Sequence, residues 1–423
     1  MLRGVLSPYL NALVGAQRPP RAVSRIALMA ATLLALQLAA GPALAHDPSS
    51  WGGLFRSRDA GIHWFVANEG RFVTAAVAVA VDPTDPNHLL LATDSGLLHS
   101  HNGGRDWTES GAGLLRGLIL AVAFAPEGGL ALAASGAGLF LSNDSAETWQ
   151  MTGFPLTAGL ITSIQITPSG RHYIAARQGV LRSGDRAATW QDVSQGLPEG
   201  QVQALVVRSD PAGPERLYAV INGRLFASAS GATWRPFGSG LPSGELDLVA
   251  AGQREAELWA AGQALVYRSE DAGLTWRPLP SQLEPPSTRV HAIQVADSQT
   301  TLVLATDRGL YRTADAGVSW EALSTNLPTH LEAGPLVPDP TDPSTLYVGF
   351  AVTPYNELRE QAAGGNYLRL DAVNLAGAAA FLLLLLGGGG LALKRLARYY
   401  PPPERPSDGQ EPATVLDGTP SRA

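Results

Sequence analysis

Apolar and polar positions alternate along this chain in a repeating order that begins at Ala75. Ala75 to Val81 is a short run rich in Val. Asp82-Pro83-Thr84-Asp85-Pro86-Asn87 follows as a turn, because Pro and Asn set turn dihedrals and end strand pairing. Leu89 to Thr93 reads as a second strand, Asp94-Ser95-Gly96 turns the chain, and Leu97 to Ser100 reads as a third. A polar octamer makes the next turn, and Trp107 opens a fourth strand. The order restarts at Leu118, Ile161, Val202, Leu246 and Val290. Four short antiparallel strands per unit predict one propeller blade each.

The octamer carries the period. Its clearest copies are Ser269-Glu270-Asp271-Ala272-Gly273-Leu274-Thr275-Trp276 and Thr313-Ala314-Asp315-Ala316-Gly317-Val318-Ser319-Trp320. Looser copies end at Trp64, Trp107, Trp149, Trp190 and Trp234, at a spacing in the low forties that signals a propeller or solenoid array. The array is out of phase with its ends. Before the first octamer there is room only for Gly53 to Arg56, with one more strand after Trp64. After the last octamer, Leu336-Val337 and Leu346 to Gly349 read as first and second strands, joined by Asp339-Pro340-Thr341-Asp342-Pro343, a repeat of the Asp82 to Pro86 pentapeptide. The prediction is an all-β, seven-bladed propeller of six whole blades and one composite blade with two strands from each end. Such closure removes exposed strand edges.

The chemistry of the octamer is that of a folded turn. Asp accepts backbone N–H groups, Ser or Thr adds local bonds, Gly takes a conformation costly for other residues, and Trp buries a large ring between sheets. Asp59, Asp144, Asp185, Asp271 and Asp315 are therefore read as structural, with Gly273, Gly317 and the seven Trp residues. The motif resembles the Asp-box, or BNR, repeat of sialidases, sortilin-type receptors, xyloglucanases and photosystem II assembly-factor propellers, from Trp51 to about Val352. Several copies depart from it: Asn102 and Ala229 replace Asp, and Ala146 replaces Gly. The resemblance implies that ligands bind on the face opposite the boxes. No metal or cofactor is expected, since each turn supplies at most one or two side-chain oxygens where Ca²⁺ takes six or more.

The ends suggest a membrane protein. Arg3, Arg18, Arg21 and Arg25 precede an apolar stretch from Ile26 to Ala40 and a small-residue site at Gly41 to Ala45. This reads as a signal peptide over 1–45, with an uncleaved signal anchor as the alternative. The propeller is expected over 46–352 and a juxtamembrane stalk, helical in part, over 353–371. An uncharged span covers 372–393, long enough to cross a bilayer. Lys394, Arg395 and Arg398 follow it, which places the tail at 394–423 in the cytoplasm and the propeller outside. The Pro-rich tail reads as disordered. A net charge of −7 disfavours a generic nucleic-acid binder, and the absence of Cys excludes disulfides and thiolate chemistry.

Catalytic signals are lacking. Sialidases carry an Arg-Ile-Pro motif and long insertions, and this chain has neither. Glu69, Glu199, Glu245, Asp247 and Glu332 lie on the face opposite the octamers but read singly as solvated loop charges. Aligning the innermost strands puts Thr162, Gln203, Asp247 and His291 at equivalent starts, opposite Val77 and Leu120. They form a half-polar rim, which solvation of a water-filled channel also explains. Arg289 and Arg308 lie beside it, and His291 is the candidate for a pH-sensitive contact. The expectation is a non-enzymatic binding or assembly module with a membrane-associated protein or peptide partner. The alternative is a glycan-active enzyme or glycan-binding surface protein.

Overall fold

A computed structural model describes residues 51–364, apart from 112, 210–213 and 297–299. The signal segment, the apolar span at 372–393 and the tail lie outside the described residues. No helix among the described residues is long and apolar enough to cross a membrane.

Seven four-stranded antiparallel sheets form a β-propeller. The innermost strands of the first six blades are Ala76–Asp82, Ile119–Phe124, Ile161–Ile166, Val202–Arg208, Leu248–Ala251 and Val290–Val295. The closing blade is composite: Gly53–Ser57 and Phe65–Val66 from the N-terminal side pair with Glu332–Pro338 and Leu346–Ala351. Gly53 lies opposite Phe350 and Ser57 opposite Leu346, so the ring closes through backbone pairing. Arg312 Nε of the sixth blade donates to Ala60 O of the closing blade at 3.0 Å.

The second strand of each blade is buried on both faces, which is why it reads as an unbroken apolar run. In Asp85–Thr93, Leu90 and Ala92 pack towards the second blade. Leu89 and Leu91 pack towards the closing blade. Seven apolar clusters fill the seven interfaces between blades. The turn expected at Asp82 to Asn87 is tighter than its composition suggests, because strand pairing resumes at Asp85. Asp82 Oδ1 accepts the N–H and hydroxyl of Thr84 at 2.8 and 2.7 Å and folds the chain over Pro83-Thr84. Asp339 makes the same two contacts with Thr341 in the closing blade.

After the last strand the chain forms an α-helix, Tyr355–Gly364, here α1. This is the described part of the expected stalk. Tyr355, Leu358 and Ala362 share one helical face and are buried in an eighth cluster with Ala75, Leu118, Leu120 and Ala351, flanked by Val77 and Leu160. The Tyr355 hydroxyl donates to Ala76 O at 2.9 Å. The Tyr355 N–H, an orphan donor of the first turn, finds Glu332 Oε2 at 2.9 Å.

Candidate functional site

The octamers build one hydrogen-bond pattern. Ser269 Oγ donates to Asp271 Oδ1 at 2.8 Å and accepts the Gly273 N–H at 2.8 Å. Asp271 Oδ1 also accepts the Thr275 N–H at 2.9 Å, and Oδ2 accepts the Thr275 hydroxyl at 2.5 Å. Asp144, Asp185 and Asp315 repeat these contacts. Asp59 makes them with Ser57 and His63. Asn102 keeps the turn in its copy, its Oδ1 accepting the Asp106 N–H at 2.9 Å. In the copy with Ala229, Trp234 Nε1 donates to Val193 O at 2.7 Å. Five of the seven Trp rings are buried, whereas Trp190 and Trp320 are half-buried. The bonds from Thr189 and Thr275 hold the carboxyls of Asp185 and Asp271 down at about 2. The bond from Ser319 lowers Asp315 further. Each carboxylate is thus engaged within its own turn.

The opposite face is organised by bulges. The ladder shifts register between Ala76 and Ala78, Ile119 and Ala121, Ile161 and Ser163, Val202 and Ala204, and Val290 and Ala292. The skipped residues are Val77, Leu120, Thr162, Gln203 and His291, the positions expected to form the rim. A bulged residue leaves the ladder and its side chain is re-aimed. Here all five line one cavity of about 1040 Å³ with Asp247 and Arg289. Asp247 enters by another route: its N–H bonds Ala261 O at 2.8 Å just before the fifth blade's innermost strand. A second cavity of about 880 Å³ shares Gln201, Gln203, Asp247 and Arg289 with the first.

α1 divides the rim. It packs against the apolar half at Val77, Leu120 and Leu160, which still line the cavity beside it. At the polar half Tyr355 meets His291 edge-on at 6.1 Å between centroids. His291 Nδ1 lies 2.9 Å from Ala333 O, and Gln203 Oε1 accepts the Gly223 N–H at 2.8 Å. Thr162 Oγ1 donates to Ala175 O at 3.2 Å. Burial pushes the Asp247 carboxyl above its usual range, against the opposing pull of Arg289 and His291. Arg308 is not among the residues lining either cavity, and its guanidinium reaches Ser287 Oγ at 3.2 Å on the exposed surface. Glu332 caps α1 through the Tyr355 N–H. Tyr355, Asn356, Arg359 and Glu360, which the sequence places in the expected stalk, line the cavity from α1. Their helical spacing was legible, but not the surface on which the helix docks.

A scan against protein-family models finds no match, and a search of the curated proteins finds none. Solved structures share the fold. One described as YCF48 bound to D1 peptide matches with a TM-score of 0.52 at 16% identity, covering 66% of this chain and 93% of that one. YCF48 from Cyanidioschyzon merolae matches at 0.50 and 12% identity, covering 66% and 96%. The extracellular domain of a putative one-component system from B. thetaiotaomicron matches at 0.53 and 10% identity, covering 70% of this chain and 39% of that one. At these identities the likeness concerns the fold.

Proposed function

We propose that this chain is an Asp-box propeller that binds a peptide or protein partner on the face opposite its octamers, without carrying out a reaction. The stretch from Ala372 to Leu393 anchors it in a membrane, with the propeller on the extracytoplasmic side. The observation that supports binding is the divided rim. Its apolar half packs against α1, and away from the helix amides at Gln201 and Gln203, a carboxylate at Asp247 and a guanidinium at Arg289 stand around adjoining cavities. A few convergent polar groups in a concavity orient a ligand. Neighbouring amides and opposite charges suit a peptide's backbone and its charged side chains. YCF48 has been solved bound to D1 peptide, so a propeller of this fold accommodates such a ligand. The anchor is supported by the uncharged stretch and by Lys394, Arg395 and Arg398 directly after it.

The test is a peptide-library screen on the full chain, followed by titration of the selected peptides. Arg289→Ala or Asp247→Ala is expected to weaken binding roughly tenfold or more, the scale of one lost charged hydrogen bond. Asp185→Asn, on the octamer face, leaves binding unchanged. Turnover of sialosides or glucans that disappears in Asp247→Asn or Glu245→Gln would instead establish the glycan-active reading.

A further inference from the structure

Three of the chain's eight histidines fall between positions 88 and 101, and the fold brings them together. His88 lies on the strand Asp85–Thr93 of the first blade, while His99 lies on Leu97–Ser100 and His101 just beyond it. Leu90 pairs with His99 and Leu89 with Ser100, and continuing that register sets His88 opposite His101. Cross-strand partners and residues two apart share a sheet face. All three rings therefore project from the face that packs on the second blade, where Phe124 lies 4.9 Å from the His88 ring. One imidazole nitrogen of each lies within 4.8 Å of the other two.

We propose that His88, His99 and His101 bind a divalent transition-metal ion of the Zn²⁺ type. His88 is only 4% exposed, yet its Nε2 has no hydrogen-bond partner, and neither has the buried Nδ1 of His99. Buried polar atoms are nearly always partnered, so two orphaned nitrogens in one histidine cluster call for a ligand. The His88 Nδ1 lies 3.5 Å from Asp82 Oδ2, and Asp82 is itself held by Thr84. A carboxylate on one ring nitrogen orients the other towards a metal, the usual outer partnership of a metal-binding histidine.

Zn–N bonds of about 2.0–2.1 Å in a tetrahedron put the nitrogens about 3.4 Å apart, so the cluster contracts by at most about 1.4 Å on binding. His101 is exposed, so of the three rings it is the one with room to supply that movement. Glu147, in the octamer turn of the second blade, has Oε1 3.2 Å from His101 Nε2; it lies outside the three-histidine group and would have to swing in to serve as a fourth ligand. The ion would tie the first blade to the second on the octamer face, away from the proposed peptide site.

The experiment uses the full chain without a polyhistidine tag, with Zn²⁺ and Co²⁺ as probes. Stoichiometric Zn²⁺ should bind one ion per chain and raise Tm, and Co²⁺ should give the visible bands of a four-coordinate site. His101→Ala, an exposed substitution that leaves the fold intact, should weaken Zn²⁺ binding by more than about tenfold, the scale at which even outer partners act. His330→Ala should leave it unchanged. Absence of a Zn²⁺-dependent rise in Tm together with absence of Co²⁺ bands overturns the proposal, as does unchanged affinity in His101→Ala.

Discussion

The octamer carboxylates make acid stability a residue-scale property. Asp185 and Asp271 ionise at about 2 in the folded chain because Thr189 and Thr275 donate to them. In the unfolded chain Asp titrates near ~3.9. A depressed folded pKa contributes stability that is complete above the unfolded value and lost as pH falls through the folded one. Thermal melts should therefore lose stability between about pH 4 and pH 2, and an Asp185→Asn, Asp271→Asn double variant should show a shallower loss. Asp247 has the opposite sign. Its folded pKa is raised by burial, so the ionised carboxylate is a cost at neutral pH. Asp247→Asn is expected to raise Tm at pH 7 while weakening ligand binding, the signature of a group retained for function. Ala146 and Ala187 adopt φ of 68° and 65° where other copies carry Gly. Replacing either with Gly should stabilise the chain by up to about 1 kcal/mol in denaturant titrations, since the left-handed region costs about that much for a residue with a Cβ.

At the scale of elements, α1 is the part whose attachment can be perturbed from the side it docks on. A Cβ on Gly334 would meet the Tyr355 ring at 2.2 Å, too close for the helix to keep its seat. Gly334→Ala should therefore release the helix without changing any of its residues. Tyr355→Phe should weaken docking by about 1 kcal/mol through the lost bond to Ala76 O. Hydrogen exchange over residues 355–364 measures both, and faster exchange in Gly334→Ala than in Tyr355→Phe is the expected order. Inner-strand bulges are elements of the same kind. They turn Thr162, Gln203 and His291 out of the ladder, while Val77 and Leu120, turned out in the same way, become the seat of α1.

For the whole propeller, the closing blade decides whether the ring is one cooperative unit. Phe55 and Phe350 reach it from opposite ends of the array and pack edge-to-face at 5.3 Å. Phe350 is fully buried, so Phe350→Ala should cost about 3–5 kcal/mol by chemical denaturation. A chain ending before Glu332 loses the two inner strands of this blade. It leaves Gly53–Ser57 without its partner Leu346–Ala351 and exposes strand edges. Size-exclusion chromatography should show that truncated chain self-associating.

The alternation of apolar runs and turns specified the strands, and the phase of the octamers specified seven blades with a shared closing blade, because a strand's buried face and a turn's dihedrals depend on neighbours in the chain. The alignment of inner strands also placed Thr162, Gln203, Asp247 and His291 at one rim, since repeats carry equivalent positions to equivalent places. Tertiary structure alone decided which half of that rim α1 packs against. Tyr355 meets Ala76 across the whole array, and no local pattern records a contact between residues so far apart in the chain. The same holds for the histidine cluster. His99-Ser100-His101 shows one shared face in the sequence, but the burial that isolates His88 Nε2 and the nearness of Glu147 come from packing the second blade on the first.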